Sequence, residues 1–337
     1  MNRNNTELKD PGRDARELKR KNEIIRKRNR IRIGVFSVLL IFALIGLGTV
    51  IGKLPIFNKK TQEAADDRAY MAKGGDVQTE VKEDDVRKAM EGVTSKEGYT
   101  DKLQKILIVK DQTDLYTAPD SKSGTSGKLE EGEYVNFYGS EDGWYKLSTK
   151  NFEGYGKAEY FEEAEDSQFK IVDGVIIVNK DYSVPEDYEP GLSPEASQSF
   201  NLMKADMERS NMILDAVSDF RSYEDQKALY EDDVDEMGQG YAEAFTARAG
   251  HSEHQLGLAI DVTSDGGTKV NPDFKATKES DWLEENAHKY GFIIRYPKGK
   301  KDVTGYEYEP WHLRYLGPDK AKEIYDSGLT IEEYYGL

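Results

Sequence analysis

The hydropathy pattern changes character several times along the chain. From Ile33 to Gly52 (IGVFSVLLIFALIGLGTVIG) a run of residues passes without one charge, long enough to cross roughly 30 Å of hydrocarbon as a helix. Residues 53–102 are charged and poor in aromatics, with Gly74-Gly75 and one weak helical stripe through Val81, Val86, Met90 and Val93. They read as a spacer, part flexible and part helical. From Ile106 the period shortens: Ile106–Val109 is a strand, apolar positions alternate around Leu129, Tyr134, Val135 and Phe137, and "DGWYKL" follows a turn at Asp142-Gly143. Short strands punctuated by turn residues across 103–163 predict a small all-β barrel.

Beyond residue 168 the elements mix. "GVIIVNK" predicts a buried strand, and Ser193-Pro194-Glu195 opens a helix carrying Phe200, Met203 and Met207, with Ser as cap and Pro in the first turn. "NMILDAVSDFRS" reads as a strand and turn, Tyr223–Glu231 as a helix, "ESDWLEENAHKYG" as an amphipathic helix closed by Gly291, and "FIIRY" as a strand. Interleaved short elements of both kinds predict one α+β domain over 168–337, with a small antiparallel sheet and flanking helices.

Charge respects the same divisions. Residues 1–32 hold 12 Lys/Arg against 5 Asp/Glu, the rest of the chain 35 against 59, and the whole carries −17. A basic tail ahead of an apolar segment places the N-terminus in the cytoplasm and exports the residues beyond Gly52. The apolar run is longer than a signal-peptide core and Gly52-Lys53-Leu54 is not a cleavage site, so it reads as an uncleaved single-pass anchor, with the chain beyond it facing the cell wall. An exported part this acidic is not built for nucleic acid. With no cysteine in the chain, disulfides, Cys-based metal sites, a thiol nucleophile and a lipid anchor on Cys are all excluded.

Two of the four histidines lie in "GHSEHQLGLAIDV", residues 250–262. If Gly257–Val262 is a strand, Leu258, Ile260 and Val262 face the core. Gly257, Ala259 and Asp261 then share the other face, where two small residues leave room beside a carboxylate. His254 at the start of that strand and Asp261 together suit a zinc ion, but a catalytic zinc site takes three protein ligands. His312 in "YEPWHLRY" stands three residues after Glu309, a carboxylate suited to act as general base. His288 sits late in the amphipathic helix, where a helix C-terminus favours it. His251 precedes the strand and reads as a surface residue or a support to the ligands.

Taken together, "SEHQLGLAID" and "EPWH" resemble the signature of the VanY-type zinc D-alanyl-D-alanine carboxypeptidases and their LdcB-type L,D-carboxypeptidase relatives. That signature is Ser-x-His-x-x-Gly-x-Ala-x-Asp followed by Glu-x-x-His. Ser252, His254, Gly257, Ala259, Asp261, Glu309 and His312 meet each fixed position. The likeness extends through "VNKDYSVPEDYEP", "FRSYEDQ", "GFIIRYP" and "TGYEYEPWHLRY". Ala249 departs from it, standing where the family often has Pro before Gly250.

The resemblance implies that His254, Asp261 and His312 bind zinc, that Glu309 is the base, and that Arg221 of "FRSYEDQ" polarises the scissile carbonyl. Gln226 and Ser252 match positions that hold the substrate's terminal residue, though both could be local caps. Arg295 of "IIRYP" could contact a carboxylate or brace the scaffold. Likewise "LYTAP…GEYV…GWYKL…GYGKAEYF", from Lys105 to Glu163, resembles a bacterial-type SH3 domain, which implies a wall-targeting module.

The function implied is removal of the C-terminal D-Ala from peptidoglycan stem peptides, as an L,D-carboxypeptidase on tetrapeptides. The alternatives are a D-Ala-D-Ala carboxypeptidase on pentapeptides, an endopeptidase cutting cross-bridges, and a non-catalytic wall-binding protein.

Overall fold

The protein is described from a computed structural model, which places residues 84–86, 88–89, 102–164 and 169–337. The expected cytoplasmic tail, the membrane helix over 33–52 and most of the 53–102 spacer lie outside the described residues. Among the described residues no helix is long and apolar enough to cross a membrane.

Seven strands build the first part: β1 Lys105–Val109, β2 Thr113–Tyr116, β3 Thr125–Leu129, β4 Tyr134–Glu141, β5 Trp144–Ser148, β6 Glu153–Lys157 and β7 Phe161–Glu163. They form one antiparallel sheet in the order β3-β2-β6-β5-β4-β1-β7. Alternation buries Leu107, Val109, Leu115, Leu129, Val135, Phe137, Leu147 and Phe161 in a single cluster, about what one face of seven short strands can supply. The expected turn at Asp142-Gly143 joins β4 to β5. Both residues have positive φ, 48° and 82°, as a tight hairpin with right-twisted strands demands.

The second part opens with a hairpin, β8 Lys170–Val172 and β9 Val175–Ile177. Helix α1, Pro194–Arg209, begins where Ser193 Oγ accepts from the Ala196 amide. Its buried Ala196, Phe200, Met203 and Met207 recur at helical spacing on one face. After it come β10 Asp215–Ser218, α2 Tyr223–Met237, α3 Gln239–Phe245, β11 Ala259–Thr263, α4 Lys278–Asn286, β12 Phe292–Tyr296, α5 Lys301–Thr304, β13 Glu309–Tyr315, α6 Pro318–Ser327 and α7 Ile331–Tyr335. The four-stranded sheet runs β10-β11-β13-β12 with every neighbour antiparallel. One face of it packs Ile260, Val262, Phe292, Trp311 and Leu313 against α1 and α4, which leaves the other face of β11 and β13 for polar chemistry.

The fold is thus α+β with an SH3-like sheet ahead of it, as the sequence implied. One element differs from expectation. Strand β11 begins at Ala259, and residues 253–256 form a 3-10 turn that carries His254. Gly257 ends that turn in the left-handed region, φ 65°, so it does not sit on the strand face beside the metal ligands. A Cβ there would lie 1.7 Å from the Gly191 carbonyl oxygen. This glycine is required by a backbone crossing and not to clear space for metal and peptide.

Candidate functional site

The site is assembled from two central strands and one turn. Asp261 on β11 and His312 on β13 are directly opposed in the antiparallel register, which brings their side chains to the same face. His312 Nδ1 lies 3.0 Å from Asp261 Oδ1. His254 reaches in from the turn, its Nε2 3.0 Å from Asp261 Oδ2. The two imidazole rings stand nearly perpendicular with centroids 5.0 Å apart. One ligand atom from each of His254, Asp261 and His312 can be chosen so that all lie within 4.8 Å of one another.

The remaining ring nitrogens show how each histidine is held. His254 Nδ1 is 2.7 Å from the Asp219 carbonyl oxygen. A carbonyl only accepts, so Nδ1 carries the proton and Nε2 is left with its lone pair toward Asp261. In His312 the roles are reversed: Nε2 faces Glu253 Oε2 at 3.3 Å, which leaves Nδ1 for the site. Partners outside the ligand set commonly fix the tautomer and ring plane of metal-binding histidines in this way.

The charges point to a cation at this spot. Burial alone would drive a proton off His312, yet hydrogen bonds to Asp261 and Glu253 raise its pKa to about 9. Burial works against the Asp261 carboxylate too, but His254 and His312 hold it well below the usual range. His254 is shifted down, chiefly by burial. The attraction that keeps a proton on His312 would hold a divalent ion more strongly. Two imidazoles and one carboxylate are the donor types of a catalytic zinc centre with an open position, and zinc is the cofactor that fits.

Glu309 and Arg221 flank this cluster. Period-two alternation would turn Glu309 toward the core with Trp311 and Leu313, but the β12–β13 register shifts between Ile294 and Tyr296. That irregularity breaks the alternation. The Glu309 carboxyl lies within electrostatic reach of both His312 and Asp261, and burial pushes its pKa up to about 8. Its Oε1 is buried with no hydrogen-bond partner among the described residues. An orphaned buried carboxylate oxygen calls for a functional explanation, and a proton in transit supplies one.

Arg221 follows β10. Its backbone N–H donates to the His254 carbonyl at 3.2 Å, and Nη2 lies 3.9 Å from Asp261 Oδ2. Nη2 donates to Ser218 Oγ at 2.6 Å and Nη1 to Gln226 Oε1 at 2.7 Å, so the guanidinium is held from two sides.

The three residues carried as substrate-binding candidates, for which the sequence also allowed local capping or scaffold roles, each have partners within the protein. Gln226 is buried on α2, holding Arg221 through Oε1 and donating from Nε2 to the Ala247 carbonyl at 2.6 Å. Ser252 is buried, and its Oγ caps the 3-10 turn by accepting from the His254 amide at 3.3 Å. Arg295 is committed to Glu253 through Nε at 2.7 Å and to Glu332 through both terminal nitrogens. Its side chain has no exposed surface, which makes it scaffold. His251 Nδ1 pairs with the Asn179 carbonyl, and His288 stacks on Tyr325 with centroids 3.7 Å apart; neither joins the cluster.

Glu253 and Arg314 were not singled out by sequence reasoning. Glu253 Oε1 accepts from Arg295 and, at 2.8 Å, from Arg314 Nη1, which leaves Oε2 for His312. Arg314 also donates to the Ile176 carbonyl at 2.7 Å. The only trace in the sequence is positional: Glu253 immediately precedes His254, and Arg314 shares the face of His312 two residues on.

An α+β fold presenting two histidines and an aspartate around one point, with a buried glutamate oxygen unpartnered among the described residues and in electrostatic reach of them, has the donor set of a metallohydrolase. Comparison with known proteins sharpens that class. Residues 189–318 match the family model "VanY: D-alanyl-D-alanine carboxypeptidase", and residues 111–162 match "Bacterial SH3 domain". The chain is 38% identical over 220 residues to "Putative carboxypeptidase YodJ" of Bacillus subtilis, covering 56% of this chain and 79% of that one. It is 33% identical over 195 residues to a D-alanyl-D-alanine carboxypeptidase of Enterococcus faecalis, covering 51% and 68%. Among solved structures it is similar to a vancomycin-resistance D,D-pentapeptidase VanY in complex with Zn(II), at 30% identity over 47% of this chain and 97% of that one, with a TM-score of 0.42. The chain belongs to the VanY family of carboxypeptidases.

Proposed function

We propose that this protein is a membrane-anchored zinc carboxypeptidase that releases the C-terminal D-Ala of peptidoglycan stem peptides at the outer face of the cell membrane. The observation that carries the reading is the buried Glu309 Oε1, without a hydrogen-bond partner among the described residues, on a carboxyl within electrostatic reach of His312 and Asp261 in the His254–Asp261–His312 cluster. These three side chains would hold zinc, which when bound polarises the scissile carbonyl and acidifies water. Glu309 takes the proton from the attacking water and returns it to the leaving amine, a task for which a pKa near neutrality is suited. Arg221 presents its cationic edge where charge develops on the carbonyl oxygen. Ser218 and Gln226 fix the Arg221 guanidinium, so that charge is in place before the reaction. Anchoring rests on the uncharged run 33–52 behind a basic tail.

Two specificities are retained. Likeness in the flanking segments supports the L,D bond of tetrapeptides, while the name of the Enterococcus faecalis relative points to D-Ala-D-Ala in pentapeptides. Both substrates end in D-Ala, and the bond to be cut follows a different residue in each. Mass spectrometry of defined tetra- and pentapeptide muropeptides, with and without chelator, decides between them. Chelator-sensitive loss of D-Ala from one substrate names the bond. No loss from either would leave a non-catalytic wall-binding protein and overturn the proposal.

A further inference from the structure

A cleft of about 1030 Å³ opens between the seven-stranded sheet and the α+β part, away from the metal cluster. His254, Asp261, His312, Glu309 and Arg221 are absent from its lining. One wall presents Asn136, Tyr138, Ser148 and Phe152; the facing wall presents Tyr188, Ser193 and Tyr315.

The walls are fixed relative to one another. Ile106 of β1 shares an apolar cluster with Ile176, Val178, Tyr188 and Leu256 from the second part. Tyr188 Oη donates to Asn136 Oδ1 at 3.0 Å across the junction. Opening the junction would expose that cluster to water, so the cleft is preformed.

Its chemistry narrows the ligand. Charges at the mouth neutralise one another: Asp173 pairs with both Lys102 and Lys320, and Lys320 also pairs with Glu323. Lys150 and Arg314 on the cationic side and Glu153, Glu195 and Asp319 on the acidic side also line it, so four cationic side chains stand among five carboxylates. A polyanion would find no net positive field here. Between these charges the walls offer the amide of Asn151, the hydroxyl of Tyr138 and half-buried rings at Tyr138 and Phe152, while the Asn136 amide and the Ser148 and Ser193 hydroxyls are engaged in bonds within the fold. Tyr138 Oη and Ser148 Oγ lie 3.0 Å apart, placing two hydroxyls side by side. Amides and hydroxyls interleaved with ring faces match a chain of N-acetylated amino sugars, whose hydroxyl and acetamido groups need both donors and acceptors and whose C–H faces pack on rings.

We propose that this cleft binds the N-acetylated amino-sugar backbone of the wall polymer, separately from the metal centre. The inference rests on the carboxypeptidase reading only for the identity of that polymer. Residues 253–258 lie between the two sites, with His254 on one side and Leu256 and Leu258 lining the other. A sugar chain in the cleft would therefore rest against the segment that carries a metal ligand.

The test uses the full chain in detergent micelles and two peptide-free probes: a β-1,4-linked N-acetylglucosamine oligomer and wall glycan stripped of peptides by an amidase. Calorimetry should register binding of both. Backbone amide exchange should slow in residues 134–138, 148–153 and 188–195, and remain unchanged at 259–263 and 309–312. Tyr138→Ala combined with Asn151→Ala, on two partly exposed side chains, should weaken binding about tenfold and leave D-Ala release unchanged. Wild-type exchange data keep the test decisive if the double variant is unstable. The inference is overturned if neither probe binds, if protection is confined to the metal centre, or if only stem peptides protect the cleft. Failure of D-Ala release alone would remove the carboxypeptidase reading and leave glycan binding standing.

Discussion

Glu309 combines deep burial, an unpartnered oxygen and a pKa pushed up to about 8, features with no structural purpose in a folded core. Gln is nearly isosteric and cannot accept the proton. Glu309→Gln should lower kcat by about 10²- to 10⁴-fold while zinc binding, followed by calorimetry, is retained. Retained turnover would remove Glu309 from the role of base. Arg221 acts through position as much as charge, and Gln226 supplies one of its two side-chain anchors. Arg221→Ala should cost about 10²- to 10³-fold in kcat, the scale of one lost oxyanion donor. Gln226→Leu should cost about tenfold, with KM little changed, because both ends of the buried Gln226 amide are taken up by Arg221 and the Ala247 carbonyl. A Gln226→Leu loss carried by KM would restore the substrate-contact role suggested by the sequence.

Strands β11 and β13 explain how much of the site was legible in the sequence. The parity of Ile260 and Val262 against Asp261 could be read directly, because a strand with one buried face alternates strictly. The pairing of Asp261 with His312 could not, since cross-strand register joins residues far apart in the chain. Glu309 was singled out by its nearness to His312 in sequence and then by its resemblance to a motif; strand parity over three residues argues against a shared face, and the irregular register with β12 brings it in. Gly257 was assigned the wrong reason, because its need for positive φ comes from Gly191, remote in sequence. Gly257→Ala should therefore destabilise the fold by about 2 kcal/mol or more, seen as a lowered denaturation midpoint. Glu253 and Arg314, which complete a buried group with Arg295, escaped notice because long charged residues are expected at the surface. In the fold, each charge in it is buried and paired. Glu253→Gln should weaken zinc affinity about 10- to 100-fold in competition with a chromophoric chelator, since Glu253 holds the His312 ring plane. Unchanged affinity would reduce Glu253 to a counter-ion for the two arginines.

At the scale of the whole molecule, stability and metal binding are coupled. Asp261 and Glu309 are both buried at the metal centre, and the donor set gains a divalent cation only in the folded state. A ligand that binds the native state alone stabilises it by mass action, about 4 kcal/mol at a free concentration of 1,000 times Kd. Stripping zinc with a chelator should therefore lower the Tm by roughly 10 °C for a cooperative unit of this size. The shared cluster of Ile106 with Ile176, Val178 and Leu256 determines how that shift is distributed. Leu256 closes the turn that holds His254, so loosening the metal centre loosens the surface on which β1 rests. The seven-stranded sheet and the α+β part should then melt in one calorimetric transition, and the whole of it should move on chelation. Two transitions, with only one responding to metal, would show that the apolar junction does not transmit the stability of the metal centre to the SH3-like sheet.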